Sequence, residues 1–334
     1  LNRSSLRIQL LGIAVLTFAS ITALSCAQKQ LQSSETVIIR LEPGTSASAI
    51  ARILAEKGII AYPRLFLLRL RIFGQDQSIK AGTYRFVQGS SQSAVIRALI
   101  DGDVARKRLT IPEGSTAGAI ARLLDDAELV DRADFLSVVS DAALASELGI
   151  PGGNLEGYLF PDTYDFELGA SAKSVAIAMT RRFFTEVAKI APDMVAVPGK
   201  LRERLILASI VEREYRIADE APLIASVFDN RLRIGMALQS CATVVYALTE
   251  RMGRPHPDKL YYADLAIDDP YNTYRHRGLP PGPISNPGSV ALKAVFDHPM
   301  TDYLYFRVVD EARGAHRFST DFEEHKGGIP VKGL

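Results

Sequence analysis

The chain has only two cysteines among its 334 residues, Cys26 and Cys241, so spacing predicts no disulfide framework. An excess of charge of one sign is also lacking, because 39 basic side chains stand against 38 acidic ones and the formal net charge is +1. The sequence has no stripe of Lys and Arg of the kind that tracks a phosphate backbone. These absences argue against nucleic acid as a partner.

Signatures of metal and nucleotide sites are lacking too. The five histidines include no pair at a ligand spacing such as H-E-x-x-H. An exported metalloenzyme built on His316, Glu324 and His325 is therefore a weak alternative. The sequence has neither a glycine-lysine phosphate loop nor a dinucleotide fingerprint after a strand. It thus predicts no metal and no cofactor.

One long uncharged segment is present near the amino terminus. It runs from Ile8 to Ala27, and its length of about 20 residues is enough to cross a bilayer. It predicts a transmembrane anchor over residues 8–27, or else a signal segment. Arg3 and Arg7 precede it, so the positive-inside bias places residues 1–7 in the cytoplasm and the remaining chain outside the membrane.

The same segment has a second interpretation. Ala23-Leu24-Ser25-Cys26 resembles a bacterial lipoprotein processing site, in which Cys26 would become a lipidated amino terminus. We favour the uncleaved anchor because the segment has the length of a membrane span.

A short pattern recurs three times in the chain. It consists of a glycine, two hydroxyl residues, three variable positions, Ile or Val, a small or apolar residue, Arg, any residue and Leu. Each copy supplies a glycine turn, a Ser or Thr N-cap and apolar residues at helical spacing. The copies lie at Gly44–Leu54, Gly89–Leu99 and Gly114–Leu124. Each predicts a turn followed by an amphipathic helix.

With 47% hydrophobic residues, the chain has enough apolar material for a full core and two domains. The runs Thr36–Leu41 and Gly82–Val87 read as strands around two helices, which predicts a small βααβ module over residues 34–104. LysM-like glycan-binding modules share this order, and so do generic α+β units. Residues 105–334 are predicted to form a larger mixed α+β domain.

Within residues 105–334 the patterns alternate between helices and glycine-rich or proline-rich loops. We predict helices to about Leu148, an ordered loop over Gly152–Tyr164, helices again to about Leu248, a long functional loop over Asp269–Ile284, a helix from Pro287 to about Phe296, a hairpin of Tyr303–Val309 with Ala315–Ser319, and a short final helix. In the first loop, Tyr158, Phe160 and Tyr164 either stack on sugars or anchor the loop in the core.

Glu212 is the strongest candidate for chemistry. It follows Leu205–Val211, a stretch apolar on every side that predicts a buried helix. Burial raises the pKa of a carboxyl group, and the negative end of a helix dipole raises it further. Such a group is a candidate general acid at neutral pH. Alternatively, Glu212 begins a polar helix exit with Arg213 and Glu214 and only faces water.

Several blocks of the sequence together resemble the MltG-type (YceG-like) endolytic murein transglycosylases of bacteria. The resemblance runs from the anchor to Glu324-His325. Its most specific pieces are Leu207–Glu212, Asn230–Leu232, Leu155–Pro161, Tyr271–His276 and Gly278–Ile284.

The resemblance implies an inner-membrane protein with one membrane pass and an extracytoplasmic catalytic domain. Such a protein cuts nascent peptidoglycan strands at the β-1,4 bond between N-acetylmuramic acid and N-acetylglucosamine and leaves a 1,6-anhydro end. Its partners are therefore glycan strands and the membrane, with cell-wall synthesis enzymes as a further class.

The resemblance also assigns candidate residues. Glu212 matches the catalytic glutamate of the motif Ser-Ile-Val-Glu, acting first as acid and then as base, and Glu156 is a candidate cleft carboxylate. The further candidates are polar or aromatic and would either line the glycan cleft or serve the fold: Tyr158, Asn230, Arg231, Gln239, Thr243, Tyr246, Asn272, Tyr274 and Arg275.

One segment departs from the family pattern. Where the family commonly has Gln-Ser-Asp-Pro-Thr, this chain has Gln239-Ser240-Cys241-Ala242-Thr243. A thiol does not replace the charge of the missing aspartate unless its pKa is strongly lowered. The alternative function is therefore a membrane-anchored, non-catalytic protein that binds or scaffolds peptidoglycan.

Overall fold

The computed structural model describes residues 35–327, and the predicted anchor over residues 8–27 lies outside them. Contacts divide the chain into two compact units, one ending at Ala105 and the other beginning at Arg106. None of the helices within residues 35–327 combines the length and apolar character that a bilayer span requires.

The first unit has the predicted order strand, helix, helix, strand, followed by one more helix. Its elements are β1 Thr36–Leu41, α1 Ala47–Glu56, α2 Pro63–Ile72, β2 Gly82–Val87 and α3 Gln92–Asp101. β1 and β2 pair antiparallel, with Thr36 opposite Val87 and Leu41 opposite Gly82. The helices bury Leu54, Leu70 and Leu99 against this pair of strands, so the unit has its own core.

The second unit holds most of the helices and two further pairs of strands. Its elements are β3 Arg106–Thr110, α4 Ala117–Asp126, α5 Arg132–Val139, α6 Ala142–Glu147, β4 Thr163–Glu167, α7 Ala172–Ile190, α8 Pro192–Val195, α9 Pro198–Val211, α10 Ala221–Arg233, α11 Cys241–Tyr246, α12 Ser289–Phe296, β5 Tyr305–Asp310, β6 Ala315–Ser319 and α13 Phe322–Lys326. Within residues 35–327 the strands form three two-stranded antiparallel sheets, and the predicted α+β class is confirmed.

The three copies of the repeated pattern all form a turn and a helix, as predicted. Each glycine has a positive φ angle, and a hydroxyl side chain accepts a hydrogen bond from the backbone N–H three residues later. The capping residues are Ser46 for α1, Ser91 for α3 and Thr116 for α4. The side-chain oxygen satisfies a backbone donor that the first helical turn leaves unpaired.

Some boundaries differ from the predictions. β3 is a strand that sequence patterning does not predict, because Arg106–Thr110 is charged and lacks apolar alternation. It pairs with β4, which begins at Thr163 inside the predicted loop. The helix predicted from Pro287 begins at Ser289, and β5 begins at Tyr305. The segment 269–284 is irregular, as predicted.

The core of the second unit is built around α9. Every residue of its last turns, Leu205–Val211, is buried, which confirms the predicted buried helix. α9 packs against α10 and α12. Glu212 directly follows this helix, so its side chain emerges from the centre of the core.

Candidate active site

Glu212 is held by two donors from different parts of the second unit. Its Oε2 accepts a hydrogen bond from the backbone N–H of Gly288, at 3.0 Å. The hydroxyl of Tyr215 lies 3.5 Å from both carboxylate oxygens. Gly288 is the N-cap residue of α12, so the carboxyl group faces the positive end of that helix.

The pKa of Glu212 is raised to about 7, chiefly because burial disfavours the charged form. The negative charge of Glu113 raises it as well, whereas the Gly288 N–H, Tyr215 and Arg213 lower it. A carboxyl group with this pKa is present in both protonation states near neutral pH, as acid-base catalysis requires. The predicted rise is confirmed, and the side chain is partly buried and not simply solvated.

Ser209, the serine of the motif Ser-Ile-Val-Glu, connects helix α9 to the long loop. Ser209 Oγ donates to the carbonyl of Ile206 at 2.7 Å and accepts from the N–H of Ile284 at 3.0 Å. Ser285 Oγ donates to the carbonyl of Ser209 at 3.0 Å. All these groups are buried, so each hydrogen bond satisfies a polar atom inside the core.

A cleft of about 740 Å³ lies next to Glu212. Glu212 does not line this cleft itself, but its Cγ packs on Gly114, which does. The lining comes from the turn before α4, from α4 and α5, from the residues after α9, from α11 and the segment that follows it, and from the long loop: Glu113, Gly114, Ser115, Thr116, Gly118, Ala119, Arg122, Arg132, Leu136, Arg213, Ala242, Val245, Tyr246, Thr249, Glu250, Gly253, Arg254, Pro255, His256 and Ile284. The carboxyl group thus stands at the edge of a space large enough for sugar rings.

Glu156 lies inside the wall and not on the cleft surface. It is 6% exposed, and both its oxygens accept from the N–H of Ala117, at 3.0 and 3.1 Å. Asn286 Nδ2 donates to Oε1 at 2.9 Å. Burial raises the pKa of Glu156 to about 8, and the charge of Glu250 adds to the rise. These contacts make Glu156 a cap of α4, and its predicted contact with substrate stays a prediction.

Residues 239–243, which differ from the family pattern, form hydrogen bonds with the long loop. The N–H of Gln239 donates to the carbonyl of Thr273 at 3.2 Å. Thr243 is buried, and its hydroxyl donates to the carbonyl of Ser240 and lies 2.9 Å from the Thr273 hydroxyl. Tyr246 lines the cleft and packs on the ring of Tyr271, 4.9 Å between centroids.

Two predicted residues of the long loop hold the backbone of the segment just before it. Asn272 is buried, and its Nδ2 donates to the carbonyls of Leu265 and Ile267 at 3.0 and 2.9 Å. Arg275 donates to the carbonyl of Ala266 at 3.2 Å. The contacts of both side chains favour the alternative that they serve the fold.

Three further candidates are also engaged in packing. Asn230 Nδ2 donates to the carbonyls of Thr301 and Tyr303, and Arg231 donates to the carbonyls of Leu304 and Leu238. Tyr158 is 2% exposed, and its ring meets that of Phe183 edge to face at 5.1 Å. Their roles in substrate binding stay predictions.

The hydroxyl of Tyr274 lies 3.1 Å from Cys241 Sγ, and Cys241 is exposed. Burial raises the pKa of Tyr274, and the Cys241 contact adds to the rise. Tyr274 therefore stays protonated at neutral pH and can donate to the sulfur. A polar contact thus persists at the position where the family commonly has aspartate.

Sequence reasoning misses three acidic residues near the site. Glu113 and Glu250 line the cleft, and Glu250 accepts from the Thr116 hydroxyl at 2.9 Å. Glu214 is the third, and it accepts from the Ser240 hydroxyl, while burial raises its pKa. Only Glu214 had a local signal, since it stands two residues after Glu212 in the same motif.

The residues of the metalloenzyme alternative have other contacts. His316 Nδ1 lies 2.7 Å from Glu220, and the His325 ring packs beside Tyr305. Among residues 35–327, no group of three or more His, Cys, Asp or Glu side chains is arranged to hold a metal ion.

Comparisons with known proteins place the chain in a family. The YceG-like family model matches residues 39–329, so the chain belongs to the YceG-like family. The endolytic murein transglycosylase of Bacillus subtilis (strain 168) is 32% identical over 309 residues, covering 88% of this chain and 84% of that protein.

Two further relatives support the same assignment. The endolytic murein transglycosylase of Streptococcus pneumoniae serotype 2 (strain D39 / NCTC 7466) is 27% identical over 89% of this chain, which spans 58% of that protein's length. The crystal structure of a putative yceG-like protein from Listeria monocytogenes aligns with a TM-score of 0.59 and 31% identity, covering 88% of this chain and 99% of that one.

Proposed function

We propose that this protein is an endolytic lytic transglycosylase of peptidoglycan, with Glu212 as its acid and base. The relatives named endolytic murein transglycosylase support the enzyme class and the murein substrate. The observation that carries the catalytic assignment is a carboxyl group with a pKa near 7 at the edge of a large cleft.

The reaction needs one carboxyl group in two protonation states. Protonated Glu212 donates its proton to the glycosidic oxygen as the bond to C1 of N-acetylmuramic acid breaks. The carboxylate then takes the proton of the C6 hydroxyl while that oxygen bonds to C1. The products are a free hydroxyl on the leaving N-acetylglucosamine and a 1,6-anhydro sugar. No water is consumed, and Glu212 ends protonated.

Neighbouring groups support both halves of this cycle. Burial and the charge of Glu113 favour the protonated acid that starts the reaction. The N–H of Gly288 and the Tyr215 hydroxyl stabilise the carboxylate that forms when the proton leaves. Positive charge that develops on the sugar ring is stabilised by this carboxylate and by the sugar's own acetamido group.

We also propose where in the cell the protein lies. The uncharged segment Ile8–Ala27 after Arg3 and Arg7 supports a single-pass anchor in the cytoplasmic membrane with the catalytic unit on the extracytoplasmic side. The βααβ order of the first unit supports a LysM-like role in holding glycan. Cell-wall synthesis enzymes complete the proposed partners.

A non-catalytic peptidoglycan-binding protein is the second candidate function. The observation that favours it is Cys241, which stands where the family commonly has aspartate. Cys241 is exposed and replaces the carboxyl group that the family commonly has at this position.

Mass spectrometry of products distinguishes the two functions. The full chain is incubated with uncrosslinked peptidoglycan strands in water enriched in ¹⁸O, beside its Glu212→Gln variant. Glu203→Gln is the matched control, because Glu203 is an exposed glutamate on the same helix. We expect anhydro ends without ¹⁸O from the parent and the control only. Ends carrying ¹⁸O would mean hydrolysis, and intact strands from a folded parent would mean a binding protein.

A further inference from the structure

Four arginines line the cleft beside Glu212. They come from separate segments: Arg122 from α4, Arg132 from the start of α5, Arg213 from the residue after Glu212, and Arg254 from the segment after α11. We call these four residues the arginine wall. Two lining glutamates, Glu113 and Glu250, oppose them, so positive charge is in excess.

Three of these guanidinium groups have no partner in the part of the chain that the structure describes. Within residues 35–327, Arg122, Arg132 and Arg254 make no side-chain hydrogen bond and no ion pair. Arg213 donates to a single carbonyl, that of Gly114, at 3.2 Å. Guanidinium donors that share a concave site and are not engaged by acceptors of the protein are available to an anionic ligand.

Some other arginines of the second unit are paired with carboxylates. Arg182 contacts Asp162 at 2.7 Å, Arg204 contacts Asp229 at 2.6 Å, and Arg251 contacts Asp269 at 2.8 Å. Arg122, Arg132 and Arg254 differ from these three in having no carboxylate of the described residues within ion-pair distance, although they share one cleft.

The arginine wall is continuous with the catalytic carboxyl group. Arg213 directly follows Glu212, and Gly114 touches both, since a Cβ atom on it would lie 3.4 Å from Glu212 Cγ and 3.5 Å from Arg213 Cδ. Arg122 and Arg132 line the same cleft as Gly114 and Arg213, so one occupant of the cleft can contact the arginine wall close to Glu212.

We propose that the arginine wall binds the carboxylates of the peptide attached to N-acetylmuramic acid, so that the protein selects peptide-bearing strands. This inference rests on the proposed function. The sugar backbone of murein is uncharged, whereas its peptide carries several carboxylates, and arginine binds carboxylates in a two-point geometry. The wall is therefore a specificity site for the peptide and takes no part in proton transfer.

The test compares two substrates of equal glycan length. The full chain is assayed on uncrosslinked strands that keep their peptides and on strands stripped of them by an amidase, which leaves one lactyl carboxylate on each N-acetylmuramic acid in place of the several carboxylates of the peptide. We expect the parent to have the higher kcat/KM on peptide-bearing strands. In an Arg122→Gln/Arg132→Gln variant this preference should fall about fivefold or more, because each exposed charge pair is worth up to about 1 kcal/mol. The change should be a higher KM for peptide-bearing strands, with kcat unaltered.

Two controls separate charge from structure. Arg181→Gln removes an exposed arginine of α7 that lies outside the cleft, and the preference should stay as in the parent. Arg122→Lys/Arg132→Lys keeps the charge but loses the two-point geometry, so it should restore only part of the preference. A thermal unfolding curve for each variant checks that the fold is retained.

The outcomes distinguish the inference from the proposed function. A parent that forms anhydro ends equally fast from both substrates overturns the arginine wall and leaves the function standing. A Gln variant that slows on both substrates alike also overturns it, because that pattern indicates a structural role. A parent that forms no anhydro ends from either substrate removes the proposed function, and the inference with it.

Discussion

Glu212 and Glu156 are two carboxyl groups of the second unit that are shielded from water to different degrees, the first partly and the second fully. Burial raises the pKa of both, to about 7 and about 8. Their partners differ: Glu156 accepts from Ala117 and Asn286 deep in the wall, whereas Glu212 has one backbone donor and stands at the edge of the cleft. A raised pKa alone therefore does not identify the catalytic acid, and access to the cleft decides.

The largest expected effect is on catalysis. Glu212→Gln removes the proton donor and base, and general acid-base catalysis contributes about 10²–10⁴-fold to rates. We expect activity to fall by about 10³-fold while the free energy of unfolding changes by less than about 1 kcal/mol. Initial rates and urea unfolding of the variant measure both. A loss of about 2 kcal/mol or more in the free energy of unfolding would mean that Glu212 holds the fold as Glu156 does, and would contradict the distinction between the two carboxyl groups.

The next effect concerns stability at Glu156. Glu156→Ala removes the acceptor of the Ala117 N–H and leaves Asn286 Nδ2 without one of its partners. Losing a helix cap and a buried acceptor should lower the free energy of unfolding by about 2–3 kcal/mol. Urea unfolding at pH 6 measures it. An unchanged midpoint would mean that Glu156 does not hold the wall.

The pH dependence of the two groups should also differ. The folded pKa of Glu156 lies above the ordinary value of 4.5, at about 8, so its contribution to stability is fully present below pH 4.5 and is lost as pH rises to 8. Glu156→Gln should flatten this part of the stability curve. Activity instead follows Glu212: kcat/KM should fall about tenfold per pH unit above pH 7, as the acid loses its proton.

The smallest expected effect is a change in the pKa of Glu212. Glu113 is exposed, and its charge raises the pKa of Glu212. Glu113→Gln should therefore move the alkaline limb of the pH–rate profile to lower pH, without removing activity at pH 6. An unchanged alkaline limb would show that the charge of Glu113 does not act on Glu212.

Local signals made much of the fold predictable. Helices α1, α3 and α4 begin at the predicted hydroxyl caps because capping depends on neighbours in sequence. The pairing of β3 with β4 could not be predicted, since it joins a charged segment to residues more than fifty positions away. Pairing at that distance leaves no mark in local patterning.

The site was predictable to a similar degree. Glu212 and its raised pKa follow from the apolar run before it, which is a local signal. The influence of Glu113 and the gathering of Arg122 with Arg132 arise only in the folded unit, where the turn before α4, helices α4 and α5 and the residues after α9 meet at one cleft. Glu156 shows the opposite case, in which a motif points to the site but the fold uses the side chain as a cap.

The most direct test assays Glu212→Gln and Glu156→Gln side by side for the yield of 1,6-anhydro ends from peptide-bearing strands. Glutamine at 156 keeps an oxygen that can accept from both Ala117 and Asn286, so that variant should fold. We predict that the first variant forms almost no anhydro ends and that the second stays within about tenfold of the parent. Equal loss in both, with both folded, would contradict the assignment of Glu212 as the single acid and base.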